Sequence, residues 1–271
     1  MGLTCGWTRY GEGGRYSAYA ARPDRAQAPL PAVIVIQEIW GVDAHIEDVT
    51  RRVAQAGYAA FAPDLYALNG ARTAPLLPPR LDAVKSFLNT QPPSIWTDAA
   101  AREAALAALP RELAAGIAES WSALFPGALA QEQYLPALLA AAAHPRAEAP
   151  TAGANVAAMG FCLGGGLAGL LACSDPELAG AVIFYGSAPQ AEKIPAIRCP
   201  VLALHGALDA RLVDALPAFK AEMVRHGKAL ETVVYDGAPH AFFNDTRPSY
   251  RVGAARDAFA RLLVFLRDRL A

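Results

Sequence analysis

Short runs that are apolar from end to end recur along this chain, and stretches with helical spacing separate them. Residues 32–37 (AVIVIQ), bounded by Pro31 and Gly41, are rich in β-branched side chains and free of charge. Residues 58–62, 181–185 and 201–204 are likewise apolar throughout, the first ended by Pro63 and Asp64; 155–159 is so after Asn155, and 230–235, which carries Glu231, closes the series. A strand that is apolar on both faces has to be covered on both faces, which an alternating strand does not. The covering segments are legible. In 45–56, Ile46, Val49 and Val53 stand three or four apart, with charges between them and Gly57 as the stop. Residues 163–172, 212–225 and 250–270 continue the rhythm. It predicts the α/β class: one domain with a mostly parallel central sheet and helices on both faces.

Two regions depart from that rhythm. Residues 8–20 hold Gly11, Gly13 and Gly14 between aromatic-rich flanks, the pattern of an antiparallel hairpin at the sheet edge. Residues 67–151 contain many prolines and Ala-rich helical stretches such as 99–108, with no strand-like run. They are expected to form a helical insertion or cap near the carboxyl ends of the strands, where open α/β sheets take their ligands.

Composition excludes several classes. Of 271 residues, 54% are hydrophobic and 18% charged, enough to bury a core and too apolar for a disordered chain. Lys+Arg 24 against Asp+Glu 25 gives a net charge of -1, with no basic excess for a phosphate backbone, so nucleic acid is not an expected partner. No run approaches the roughly 18 apolar residues of a membrane-spanning helix. The first residues lack a basic segment followed by an apolar one. Cys5, Cys162, Cys173 and Cys199 are too sparse for a disulfide scaffold and show no C-x-x-C spacing. The expected compartment is a reducing cytoplasm.

The chemistry concentrates at Gly160-Phe161-Cys162-Leu163-Gly164-Gly165-Gly166, directly after the run 155–159 and at the start of a helix. This is the G-x-S-x-G nucleophile elbow with Cys for Ser. Small neighbours let the chain turn sharply, and the turn sets the thiol over a helix N-terminus, where the dipole favours the thiolate. Asp209 follows the run 201–204 and His240 follows 230–235, both beyond strand carboxyl ends, in the order nucleophile, acid, histidine. His240 would then activate Cys162, and Asp209 would orient the imidazole. At the end of the first core run, Gln37-Glu38-Ile39-Trp40-Gly41 offers a carboxylate and a second oxyanion donor. The expected donors are the backbone N–H groups of Ile39 and Leu163.

These segments, with residues 58–66, His205 to Asp209, and His240 with Phe242, resemble the dienelactone hydrolase family of the α/β-hydrolase superfamily, over residues 32–66 and from 155 to the C-terminus. The resemblance implies an α/β-hydrolase fold and a carboxymethylenebutenolidase-like activity, the opening of an enol lactone from the breakdown of chlorinated aromatics. It also implies a Cys162-His240-Asp209 triad working through a thioester without a cofactor, and a Glu38 that engages the resting thiol until substrate displaces it. The family holds a substrate carboxylate with two arginines. One is replaced here by Asn244, and the other falls in the region of 67–151, where Arg72 and Arg80 are stand-ins. The expected partner is a small ester or lactone. An acyltransferase, a broad carboxylesterase or a redox-sensing thiol protein are the alternative readings.

The remaining candidates have plainer readings. Cys173 and Cys199 are expected to pack in the core and Cys5 to lie at an exposed edge. His205 reads as a strand-end structural histidine, His45 as part of a first helical turn, and His144 and His226 as solvent-facing. Trp40 and Phe242 could line a pocket or merely pack. A metal site from His205, Asp209 and His240 lacks any supporting spacing.

Overall fold

The computed structural model describes residues 2–25, 29–67, 70–148 and 151–270. Met1 and, within the expected insertion, positions 68–69 and 149–150 lie outside the described residues. Among the described residues, eight strands form one sheet: β1 (Leu3–Tyr10), β2 (Tyr16–Pro23), β3 (Ala32–Ile36), β4 (Ala59–Pro63), β5 (Val156–Phe161), β6 (Gly180–Phe184), β7 (Val201–Gly206) and β8 (Leu230–Tyr235). Their order is β1-β2-β4-β3-β5-β6-β7-β8. The glycine-rich hairpin at residues 11–14 pairs β1 with β2, from Leu3 opposite Pro23 to Tyr10 opposite Tyr16, and β2 runs antiparallel to β4. From β4 onward every pair is parallel.

Period-two geometry splits the apolar strands between two cores. Ile34 and Ile36 face one cluster, with α5 (Leu135–Ala147), α6 (Leu163–Ser174) and α8 (Leu216–Arg225) contributing to it. Val33 and Val35 face the other, with α1 (Ala44–Gln55) and α9 (Val252–Leu270). Asp43 caps α1, its Oδ1 accepting from the Ile46 N–H at 3.2 Å, and Gly57 ends the turn beyond α1 at a φ of +104°.

The expected helix at 212–225 is two helices, α7 (Ala210–Val213) and α8. Pro217 lacks an N–H and would press on the carbonyl four residues earlier, so the chain restarts around it. Between β4 and β5 the described residues are helical or irregular: α2 (Pro78–Asn89), α3 (Ala99–Ala107), α4 (Arg111–Leu129) and α5. Of these, α5 packs directly on the sheet as the crossover helix, while α2 packs against α4 further out. His144 of α5, read from its sequence context as solvent-facing, is half-buried. Its ring lies 5.3 Å from Phe61 and 6.1 Å from Tyr10, because this helix face is pressed on the hairpin side of the sheet.

The register fixes where the loops emerge. Ile36 pairs with Gly160, Phe161 with Phe184, and Gly206 with Tyr235. The segments after β3, β5, β6, β7 and β8 therefore leave one edge of the sheet. Strand order reverses at β3 and β5, so a crevice is expected there.

Candidate active site

Cys162 sits between β5 and α6 with φ 55° and ψ -113°, a conformation that costs a non-glycine residue of order 1–3 kcal/mol. Its N–H donates to the Phe184 carbonyl at 3.0 Å, and its carbonyl accepts from Gly165 at 3.1 Å and Gly166 at 3.3 Å. These bonds hold the strained turn. Close backbone packing accounts for the glycines: a Cβ on Gly160 would lie 1.9 Å from the Gly164 carbonyl oxygen, and one on Gly164 would lie 2.3 Å from that of Ile36. As the first residue of α6, Leu163 has an N–H with no intrahelical acceptor, and no other acceptor among the described residues takes it.

The loop after β3 is held just as firmly. Gly41, at a φ of +82°, donates to the Glu38 carbonyl at 3.2 Å. That carbonyl and the Ile39 N–H share one planar peptide and point opposite ways, so the turn aims the Ile39 N–H outward. It too has no acceptor among the described residues. The Tyr66 hydroxyl donates to the Ile39 carbonyl at 2.7 Å, and Gln37 Oε1 accepts from the Leu65 N–H at 3.1 Å, tying the loop to the end of β4.

His240 Nδ1 donates to Asp209 Oδ2 at 2.5 Å, and the Cys162 side chain lies near enough to the same ring to act on its charge. Three residues far apart in sequence thus form one chain of contacts. Burial alone would push the imidazole down, but the charge and hydrogen bonds of Cys162 and Asp209 lift it to about 10. His205 differs: burial pushes it down to about 4, so it is a neutral strand-end group. The Cys173 and Cys199 thiols are both pushed up to about 11 by burial, whereas Cys5 is exposed on β1. Among the described residues no cluster of three or more His, Cys, Asp or Glu is arranged to hold a metal ion.

Glu38 is buried, and its two oxygens accept from the Tyr185 hydroxyl at 3.1 Å and from Asn244 Nδ2 at 2.9 Å. No hydrogen bond joins it to the Cys162 thiol in this structure, in contrast with the resting contact that the resemblance implied. Asn244 Oδ1 accepts from the Thr246 N–H at 3.0 Å and from its hydroxyl at 2.6 Å, which fixes the amide to face Glu38 rather than a ligand. Tyr185 is the participant that sequence reasoning missed. It is fully buried at a φ of +36°, its hydroxyl holds Glu38, and its ring lies edge-on to His240 at 5.2 Å. The available signal was an aromatic residue closing an apolar run just before Gly186.

The expected substrate contacts are mostly committed elsewhere. Arg72 Nε donates to Asp64 Oδ2 at 2.8 Å and its other nitrogens to the Val42 and Leu76 carbonyls, so it braces the loops. Arg80 ties α2 to α4 through the Gly116 carbonyl and Glu119. Phe242 is wholly buried between Tyr185 and Tyr235 and packs rather than lining a pocket. Trp40 is buried against Trp96, with the Arg247 guanidinium 5.3 Å from its ring, and it borders a cavity of about 680 Å³ shared with Arg72, Lys85 and Arg247. Cys162, Asp209 and His240 are not among its lining residues.

Comparison with known proteins adds independent findings. The model of the dienelactone hydrolase family matches residues 16–270. A Saccharolobus solfataricus protein provisionally named a carboxymethylenebutenolidase is 35% identical over 257 residues, covering 94% of this chain and 95% of its own. An Escherichia coli O157:H7 protein with the same provisional name is 31% identical over 276 residues, covering 95% of this chain and 84% of its own. The crystal structure of a provisionally named dienelactone hydrolase from Klebsiella pneumoniae superposes with a TM-score of 0.72 at 30% identity, covering 98% of each chain.

Proposed function

The chain belongs to the dienelactone hydrolase family, with its α/β-hydrolase fold, and we propose that it hydrolyses a small carboxylic ester or lactone at Cys162. The observation that carries this reading is the Asp209–His240 hydrogen bond beside Cys162, whose thiol sits at the N-terminus of α6 and acts on the same imidazole. Cys162 Sγ attacks the carbonyl carbon, and the oxyanion is taken by the outward N–H groups of Ile39 and Leu163. As the C–O bond breaks, His240 hands its proton to the leaving alkoxide, which in a lactone stays tethered to the acyl group. Water then attacks the thioester, His240 accepts a proton from it, and the carboxylic acid leaves as the sulfur is restored.

Glu38 is already satisfied by Tyr185 and Asn244. To reach the thiol it would have to exchange hydrogen bonds to a charged group, each worth about 1.5–3 kcal/mol. With Asn244 and Arg72 engaged inside the protein, the reading is of an ester or lactone hydrolase, and the family's carboxylate-bearing enol lactone is one member of the substrate class it would take. Residues 67–151 act in this reading as a cap, with Tyr134 packed edge-on to Tyr66 at 6.4 Å beside the β3 loop.

The test is turnover of p-nitrophenyl acetate and of a dienelactone by wild type and Cys162→Ala, with circular dichroism as the folding control. The variant is expected to lose more than about 10³-fold in kcat with an unchanged spectrum. Mass spectrometry of the quenched wild-type reaction should find the acyl group on Cys162. Full activity in the variant overturns the reading.

A further inference from the structure

A second cavity, of about 490 Å³, begins one turn along α6 from Cys162. Its floor is Gly166 and Leu170. One wall is the turn Gln131–Tyr134, which precedes α5 and belongs to the helical segment between β4 and β5; the other is the segment 187–190 after β6. Gln131 and Ser187 converge over Gly166. A Cβ placed there would lie 2.8 Å from both Gln131 Nε2 and Ser187 Oγ. Leaving Gly166 without a side chain keeps the floor open where these two polar groups meet.

The chemistry of the lining is specific. Glu132 and Lys193 are its charged members, and they neutralise each other in an ion pair that bridges the two walls. The side chains of Gln131, Ser187 and Gln190 make no hydrogen bond among the described residues, and Gln131 and Ser187 are half-buried. An anionic group entering here would have to disrupt the Glu132–Lys193 pair. A purely alkyl group would strip water from an amide and a hydroxyl and return no hydrogen bond. The same turn carries Tyr134, which packs on Tyr66, and the Tyr66 hydroxyl holds the Ile39 carbonyl. The cavity wall and the β3 loop are therefore one connected piece.

We infer that this cleft is a substrate subsite for an uncharged hydroxyl- or amide-bearing group, and that Gln131 and Ser187 set its specificity. The inference rests on the reading of Cys162 as the attacking group, because the cleft begins at Gly166, whose N–H donates to the Cys162 carbonyl at 3.3 Å.

Two matched ester pairs test it: glyceryl monobutyrate against propyl butyrate, and ethyl 3-hydroxybutyrate against ethyl butyrate. Wild type should prefer the hydroxylated member of at least one pair through a lower KM. Gln131→Leu combined with Ser187→Ala should raise that KM about tenfold, leave kcat near its wild-type value and leave the alkyl partner unaffected. Dissociation constants measured calorimetrically on Cys162→Ala give a readout independent of turnover, and the same two substitutions in that background should abolish the preference. Equal KM and equal affinity for hydroxylated and alkyl members in wild type overturns the subsite. Absence of all turnover with a preserved binding preference overturns the hydrolase reading and leaves the subsite standing. A melting temperature equal to wild type confirms that the double variant is folded.

Discussion

His240 is pulled in two directions, and the balance has consequences that can be measured. Burial favours the neutral ring, while Cys162, the largest raising influence, and Asp209 favour the charged one, leaving it near 10. Removing the sulfur should therefore lower the His240 pKa. The histidine Cε1–H resonance, followed by NMR over pH 5–11, should titrate near 10 in wild type and clearly lower in Cys162→Ala; coincident curves would contradict the contact. In the proposed two-step reaction, acylation would take the Cys162 sulfur out of that contact and return His240 toward a neutral base. Thiol selectivity follows from the neighbouring cysteines. With Cys173 and Cys199 held near 11, iodoacetamide at pH 7.5 should label Cys162 and the exposed Cys5 and spare the other two, as read by peptide mass spectrometry. Tyr185→Phe should cost about 1.5–3 kcal/mol in urea unfolding, because it removes a hydrogen bond to the buried Glu38 carboxylate. At this scale Cys162, Asp209 and His240 were legible from type and order. Tyr185 was not, since nothing local distinguishes an aromatic strand end from one whose hydroxyl also holds a buried carboxylate.

At the scale of elements, the elbow is a problem of clearance. Gly164→Ala would drive a Cβ to 2.3 Å from the Ile36 carbonyl oxygen and 2.4 Å from that of Gln37, both backbone atoms that cannot swing aside. Little folded protein should survive that change in a soluble-expression assay. Gly153→Ala is the matched control, because its Cβ meets nothing within 4 Å and its cost is only that of a φ of +77°. A thermal melt should show it folded and lowered by about 1 kcal/mol. Equal behaviour of the two variants would contradict the packing described here. Periodicity and end signals located β3, α1 and α9 to within two residues, because burial on a sheet face imposes those patterns. The split of α7 from α8 was also written in Pro217, whereas the side of α5 that presses His144 onto Phe61 depends on where the hairpin lies.

For the whole molecule, two cores on opposite faces of one sheet have to form together. Phe161 is buried at the junction of Phe184, Tyr185 and Phe243, so Phe161→Ala should lower the unfolding free energy by about 3–5 kcal/mol in urea titrations. Stability should also carry the signature of His240. A group whose pKa is raised by folding contributes fully below its ordinary 6.5, and that contribution is lost as pH rises through about 10. Urea midpoints should therefore fall across that window, and fall less in Asp209→Asn. The linear sequence by itself determined the α/β class, the parallel sheet, the elbow at Cys162 and the order of the three candidate groups, because hydrophobic period, glycine clearance and loop position are local properties of the chain. Only the tertiary structure decided that Asn244 and Tyr185 hold Glu38, that Arg72 braces loops, and that Gln131 meets Ser187 over Gly166. Apart from Arg72's bonds to the nearby Asp64 and Leu76, those pairings join residues dozens to about two hundred positions apart, and their partners are chosen by how the loops pack at one sheet edge.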